Sequence, residues 1–272
     1  MILRKMLPVC LLSVAISTTS PAQSADSQND PRTAAGSAAT VPDAPTPQAS
    51  QPEYHGLVSR SVRRTLQDQK EIWSAPFKPK NLKWDALFLA GTAALIATDR
   101  HTAGAVSNNH VNAYRNMSNI SITGLGITAG GLWIYGMTSK EIHANETGQL
   151  ELESLVNSFL VYTPMQFAAG RERPTEGTGN GRFWRHAGFN TSFPAGHPMF
   201  AMTMATVIGH EYPHKWVQIL AYGAATSVAV GRFGARMHFP SDIFVGSTLG
   251  YLISTHIFHK HCEEGLSEAC HN

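Results

Sequence analysis

Three short polar segments in the C-terminal half of the chain contain the residue types of an anion-binding site. They are residues 170–174, 192–197 and 231–242. Arginine offers paired donors that match phosphate oxygens, a geometry that lysine does not reproduce. Histidine can act as a nucleophile or as an acid and base near neutral pH. The order of the segments, and the spacing of arginine, histidine and aspartate within the third, form a constellation that no single segment would provide.

The segments resemble the type 2 phosphatidic acid phosphatase (PAP2) superfamily, which also contains the vanadium-dependent haloperoxidases and bacterial acid phosphatases. That family carries a lysine followed by Arg-Pro, then Pro-Ser-Gly-His, then Ser-Arg with a histidine and an aspartate at fixed spacing. Three motifs in the same order form a specific pattern. The matching residues are Arg173-Pro174, Pro194-Ala195-Gly196-His197, and Arg232, His238 and Asp242.

The resemblance implies a role for each matching residue. His238 would attack phosphorus and carry a phosphohistidine, while Asp242 would hold its other ring nitrogen. His197 would protonate the leaving oxygen and then activate water. Arginine side chains would supply the positive charge, so the scheme uses no metal and no cofactor. The phosphate-binding set that it implies is Arg173, Arg232, Gln166, Gly196 and Ala195.

Three positions depart from the family pattern. Gln166 stands where the family has lysine, and Ala195 and Gly231 stand where it has serine. The two small residues remove hydroxyl groups but leave main-chain amides that can bind oxygen atoms. Gln166 replaces a cation with a neutral amide that still donates hydrogen bonds. Arg171 is a candidate for the missing charge.

Two prolines mark helix starts beside the motif histidines. Pro198 directly follows His197, and Pro240 lies between His238 and Asp242. Proline is favoured in the first turn of a helix, and a helix N-terminus attracts anions. We therefore expect two helix N-termini to point at the same anion.

Apolar runs rich in alanine and glycine must position these motifs. They favour an all-α fold, a single bundle of about six core helices as in the PAP2 and haloperoxidase proteins. Most runs are shorter than the ~20 residues of a membrane-spanning helix, so length alone leaves membrane embedding open. The runs are residues 84–98, 120–137, 152–169, 198–209, 216–230 and 243–258.

The N-terminal quarter differs in composition from the rest. Residues 1–22 combine a positive start, a short apolar stretch and small residues, which predicts a signal peptide. Residues 23–53 are rich in alanine, serine, threonine and proline, which predicts a disordered linker. Residues 54–272 form the predicted PAP2-like domain, which opens with a basic amphipathic helix. We therefore expect an exported protein, held in a bacterial inner membrane with a periplasm-facing site or free in the periplasm.

Charge and cysteine content limit the remaining possibilities. The formal net charge is only +2 with 15% charged residues, which argues against a nucleic-acid partner. Cys262 and Cys270 lie close together near the C-terminus. An exported chain favours a disulfide between them over free thiols or a zinc site.

The sequence thus predicts a phosphatase that hydrolyses a lipid phosphate monoester or diphosphate, with the membrane as its partner surface. Three alternatives stay open at this point. One is a soluble periplasmic phosphatase for small phosphate esters, and another is a haloperoxidase that holds vanadate in the same pocket. The third is a non-catalytic relative that binds lipids or anions, which the changes at Gln166, Ala195 and Gly231 would motivate.

Overall fold

A computed structural model describes residues 57–186, 188 and 190–271 of the chain. The predicted signal peptide and linker lie outside these residues, so their boundaries stay predictions. The described part contains seven α-helices, two short 3-10 segments and no strand, which confirms the all-α fold. The helices are α1 Leu57–Ser74, α2 Leu82–Gly104, α3 Val111–Ser139, α4 Ile142–Ala169, α5 Gly196–Glu211, α6 Lys215–Gly234 and α7 Pro240–His261.

Each apolar run of the sequence lies within one of the helices α2 to α7, and the predicted amphipathic segment is α1. Helix α5 lies at the centre, in contact with α3, α4, α6 and α7. One of its faces packs Ala201 and Met204 into a cluster with α3 and α6. The other packs Met199 and Val207 against α4 and α7. Burying such side chains contributes about 0.8 kcal/mol per methylene group, so α5 anchors the bundle.

Glycines on α7 allow it to approach the start of α5 very closely. A Cβ atom added at Gly246 would lie 2.4 Å from the main-chain oxygen of Ala195, and one at Gly250 would lie 2.2 Å from that of Met199. Any larger residue would push the two helices apart. This contact brings the first turn of α7 beside the first turn of α5, where the second and third motifs lie.

The loops between helices gather at two ends of the bundle. At one end, Gln166 near the end of α4 contacts Pro194, just before α5. At the other, His143 at the start of α4 bonds Glu211 at the end of α5. The Cys262–Cys270 disulfide follows α7 at that second end. Disulfide formation is thus confirmed among the alternatives that the sequence left open.

The outer faces of the bundle are strongly apolar. Among the described residues, α3 is the one helix long and apolar enough to cross a membrane. Exposed apolar side chains also line α2, α4, α6 and α7. Large exposed apolar patches mark surfaces that interact with other proteins or with a membrane. Examples are Trp84, Leu87, Ile120, Ile127, Ile134, Phe159, Trp216, Ile219 and Leu252.

Candidate active site

Three connecting segments bring the sequence motifs together at one end of the bundle. They are the loop between α4 and α5, the short link between α6 and α7, and the first turns of α5 and α7. The positive charges of Arg173 and Arg232 and the ring of His197 all act on His238. The structure therefore places both histidines and both arginines of the motifs in one cluster.

His238 is buried and held in a single tautomer. Its Nδ1 atom lies 2.8 Å from the main-chain oxygen of Ser192. A carbonyl oxygen only accepts hydrogen bonds, so Nδ1 carries the proton and Nε2 keeps a free lone pair. Burial and the nearby charge of Arg173 lower the pKa of His238 to about 3. The ring is therefore neutral at pH 7, as a nucleophile requires.

Asp242 does not hold the ring of His238, contrary to the sequence expectation. Its Oδ1 accepts from Arg171 Nη1 at 2.5 Å. Its Oδ2 accepts from Ser192 Oγ at 2.6 Å and from the amide of Phe239 at 2.8 Å. The carboxylate thus fixes the residues on either side of the His238 ring, and the Ser192 carbonyl makes the direct contact. Burial raises the pKa of Asp242 to about 6 although Arg171 opposes the shift, so the group is ionised at pH 7.

Arg171 is a structural cation and does not replace the missing lysine. Its guanidinium is 1% exposed and pairs with Asp99 at 2.7 Å as well as with Asp242. Phe183 and Phe239 lie over its guanidinium at 4.7 and 4.4 Å. Because carboxylates already compensate its charge, Arg171 is not available to a substrate.

Arg173 and Arg232 differ from Arg171 because neither has a carboxylate partner among the described residues. Arg173 Nη2 donates to Asn190 Oδ1 at 2.7 Å, and Arg232 Nη2 donates to Asn119 Oδ1 at 2.8 Å. Within the described part of the chain, the Nε atom of each arginine is buried without a hydrogen-bond partner. Unpaired buried donors are rare in proteins, and two in one cluster fit an anion-binding site.

His197 lies at the mouth of this cluster, on the first turn of α5. Its side chain is more exposed than that of His238. Partial burial and the charges of Arg232 and Arg173 lower the pKa of His197 to about 4. A bound anion would offset the two arginine charges and raise this pKa, which suits a general acid that is protonated together with substrate binding.

The two prolines mark helix starts as expected, but the first-turn amide of Ser241 on α7 donates to Asp99 Oδ1 at 3.1 Å and is not free for an anion. Helix α5 begins at Gly196 and α7 begins at Pro240. The amide of Ala195, expected to bind phosphate, donates instead to the main-chain oxygen of Asp242 at 3.0 Å. Gly196 is in the first turn of α5, where amides have no acceptor within the helix, and it remains a candidate phosphate ligand.

Gln166 is part of the scaffold beneath the site. It is fully buried, and its Nε2 donates to the oxygen of Pro194 at 2.8 Å. Its Oε1 accepts from the amide of Thr191 at 3.0 Å and from Thr191 Oγ1 at 2.7 Å. Gln166 therefore ties the end of α4 to the loop before α5, and its expected contact with phosphate has no support in this geometry.

The structure places several residues near the site whose position there was not predicted from the sequence. Asp99 on α2 accepts from Arg171 and from the amide of Ser241 at 3.1 Å. Asn119 on α3 orients Arg232. The ring of Tyr162 lies where a side chain on Gly196 would be. These residues come from helices that precede the motifs, and only the packing of the helices brings them to the site.

Comparison with known proteins agrees with the motifs. The family model described as the PAP2 superfamily matches residues 152–264. These residues include α5, α6, α7 and all the motif residues, so the family model agrees with the resemblance that the motifs indicate. A search of curated proteins found no match.

A solved structure with a similar chain is the first transmembrane PAP2-type phosphatidylglycerolphosphate phosphatase from Bacillus subtilis. The two sequences are 18% identical, and the alignment covers 76% of this chain and 98% of the other, with a TM-score of 0.46.

Proposed function

We propose that this protein is a phosphatase that removes the terminal phosphate of a lipid phosphate or lipid diphosphate through a phosphohistidine at His238. One observation carries the proposal. Arg173 and Arg232 have buried donors without partners among the residues that the structure describes, and both act electrostatically on a neutral histidine whose Nε2 lone pair is free. That arrangement supplies charge neutralisation and a nucleophile in one place.

The first step transfers the phosphoryl group to the protein. The Nε2 lone pair of His238 forms a P–N bond as the bond between phosphorus and the leaving oxygen breaks. His197, protonated in the complex, gives its proton to that oxygen. The ring of His238 becomes cationic, and its Nδ1–H bond to the Ser192 carbonyl strengthens with that charge.

The second step releases inorganic phosphate. Neutral His197 takes a proton from a water molecule as the water oxygen attacks phosphorus. The P–N bond breaks and its electron pair returns to Nε2 of His238. Arg173 and Arg232 bind the equatorial oxygens in both steps, where donors arranged in advance stabilise the developing charge.

An apolar groove beside the site supports a lipid substrate. Its volume is about 310 Å³, and Leu155, Val156, Phe159, Leu160 and Phe200 line it. Phe200 lies one helical turn after the motif histidine of α5, so the groove begins close to the reacting atoms. An alkyl or prenyl chain in this groove would leave its phosphate between the arginines.

Phosphate release from a panel of substrates tests the activity. We expect the purified protein in detergent, with a chelator present, to hydrolyse a long-chain lipid phosphate with higher kcat/KM than para-nitrophenyl phosphate. His238→Ala should abolish turnover and the acid-labile phosphoenzyme. Full activity on soluble esters with none on lipids would favour the soluble phosphatase. Turnover that required vanadate would favour the haloperoxidase.

A pair of leucine variants tests the groove. Leu160→Ser should raise KM for the long-chain substrate about tenfold, because burying a leucine contributes about 1.5–3 kcal/mol, and should leave para-nitrophenyl phosphate hydrolysis unchanged. Leu252→Ser on α7, where the leucine is 54% exposed away from the groove, is the matched control. Equal effects of the two variants would remove the groove from the proposal.

A further inference from the structure

Helix α3 packs unusually closely against the end of α6, beside the candidate site. A Cβ atom at Gly231 would lie 2.6 Å from the main-chain oxygen of Tyr114 and 2.7 Å from Cβ of Ser118. Gly231 directly precedes Arg232. This close contact therefore places α3 beside the guanidinium group of Arg232. The first turns of α3 therefore form one wall of the site.

Arg115 projects from that wall. It lies one helical turn before Asn119, the residue that accepts a hydrogen bond from Arg232 Nη2 at 2.8 Å, and residues four apart share a helix face. Among the described residues, the exposed Arg115 has no hydrogen-bond or ion-pair partner. Burial lowers the pKa of Arg232, and the charges of Arg173 and Arg115 lower it further, so the charge of Arg115 also acts at the site.

We propose that Arg115 binds the second, non-transferred phosphate of a diphosphate substrate, so that the protein prefers lipid diphosphates to lipid monophosphates. The inference rests on the proposed phosphatase function and deepens it. A diphosphate carries one more negative charge than the monophosphate of the same chain. Arg173 and Arg232 would bind the terminal phosphate, and the additional charge would require a third cation at the adjacent position.

The reaction balances as the hydrolysis of the bridging P–O bond. Nε2 of His238 attacks the terminal phosphorus, and the bridging oxygen leaves with the lipid monophosphate. Water then cleaves the P–N bond and yields inorganic phosphate. Arg115 touches only the phosphate that stays on the lipid, so it is a specificity residue for the leaving group.

Kinetics on two substrates with the same chain test the inference. Farnesyl diphosphate and farnesyl monophosphate are suitable probes for the full-length protein in detergent. Arg115→Gln should lower kcat/KM for the diphosphate about tenfold more than for the monophosphate, which corresponds to about 1.4 kcal/mol. Arg115→Lys should restore part of the preference because it keeps the charge. Lys215→Gln changes an exposed cation at the opposite end of α6 and should not alter the ratio.

A binding measurement separates this inference from the proposed function. Wild-type protein should bind methylenediphosphonate, which is not hydrolysed, more tightly than inorganic phosphate, and Arg115→Gln should remove that difference. Equal losses on both substrates, or weaker partition to anionic vesicles with an unchanged substrate ratio, would overturn the role of Arg115. Absence of turnover on both farnesyl esters, with the binding difference intact, would instead count against the phosphatase proposal.

Discussion

At the residue scale, the state of His197 depends on whether an anion is bound. Without one, burial and the charges of Arg232 and Arg173 hold its pKa at about 4, so the ring is neutral across the physiological range. An anion between the arginines would raise that pKa. By reciprocity, protonation of His197 must then strengthen anion binding.

Sulfate provides a direct test because its charge is constant between pH 5 and pH 8. Binding raises the pKa of His197, so affinity is expected to rise as pH falls from 8 towards the free-state pKa, by at most about tenfold per pH unit. Calorimetry should record proton uptake on binding. His197→Ala should flatten the pH dependence, while His256→Ala, which alters a histidine beside Glu71, should preserve it. A flat profile in the wild type would contradict the assignment of His197.

Asp242 is expected to matter for stability as well as for the geometry of His238. Among the described residues, Asp242→Asn leaves the buried Arg171 with Asp99 as its one carboxylate partner. Removing one member of a buried ion pair costs about 3–5 kcal/mol, so the thermal midpoint should fall markedly. Ser192→Ala removes one hydroxyl bond to the same carboxylate and should cost about 1 kcal/mol. Similar midpoints for the two variants would show that the Arg171 pair contributes little.

At the element scale, the closeness of α3 and α6 depends on Gly231. A methyl group there would meet main-chain atoms of α3, so Gly231→Ala should separate the helices and cost about 1–3 kcal/mol. Serine, the residue that the family has at this position, would cost more stability than alanine because its side chain is larger. Gly223→Ala lies on the same helix in open space and should stabilise the protein by about 0.5–1 kcal/mol. Thermal midpoints in detergent compare the two variants, and a neutral Gly231→Ala would contradict the close contact.

The sequence predicted the positions of the helices because each apolar run lies within one helix and the prolines at the starts of α5 and α7 mark first turns. It also identified the clustered residues Arg173, Arg232, His197 and His238 from their order and spacing. The partners of those residues were not predictable in this way. Asn119 and Asp99 lie on earlier helices, and their contacts depend on close helix packing, which leaves no local pattern.

The same limit explains the errors in the predicted site. The sequence shows that Arg171, Gln166 and Asp242 lie near the motifs but not which way their side chains point. In the structure Arg171 and Gln166 form the buried support of the site. Support residues and ligand residues have the same chemical types, so burial and hydrogen bonding alone distinguish them.

At the scale of the whole molecule, the candidate site and the disulfide lie at opposite ends of the bundle. Helix α7 begins beside the site and ends at Cys262, and its 22 residues span ~33 Å at 1.5 Å per residue. That length is close to the ~30 Å hydrocarbon thickness of a bilayer. If the bundle crosses a membrane, the site and the disulfide therefore face different compartments.

This geometry constrains the expectation of an exported site. Disulfides persist in oxidising compartments, so an oxidised Cys262–Cys270 pair puts the far end of α7 on the exported side. An exported site and an exported disulfide then occur together only if the whole bundle lies outside the membrane. A bundle that spans the bilayer with its disulfide intact would direct the site to the cytoplasmic side.

Two measurements, alkylation in intact cells and carbonate washing of isolated membranes, decide the orientation. Because the structure contains the disulfide, Cys262 and Cys270 should resist alkylation until a reductant is added. Because apolar side chains cover the outer faces of α2, α3, α4, α6 and α7, the protein should stay with the membrane after alkaline carbonate washing. Together, these two results would indicate that the site faces the cytoplasm. Release by carbonate would make the whole bundle exported and shift the proposal to a soluble phosphatase, whereas free thiols in a carbonate-resistant protein would restore the exported, membrane-embedded site.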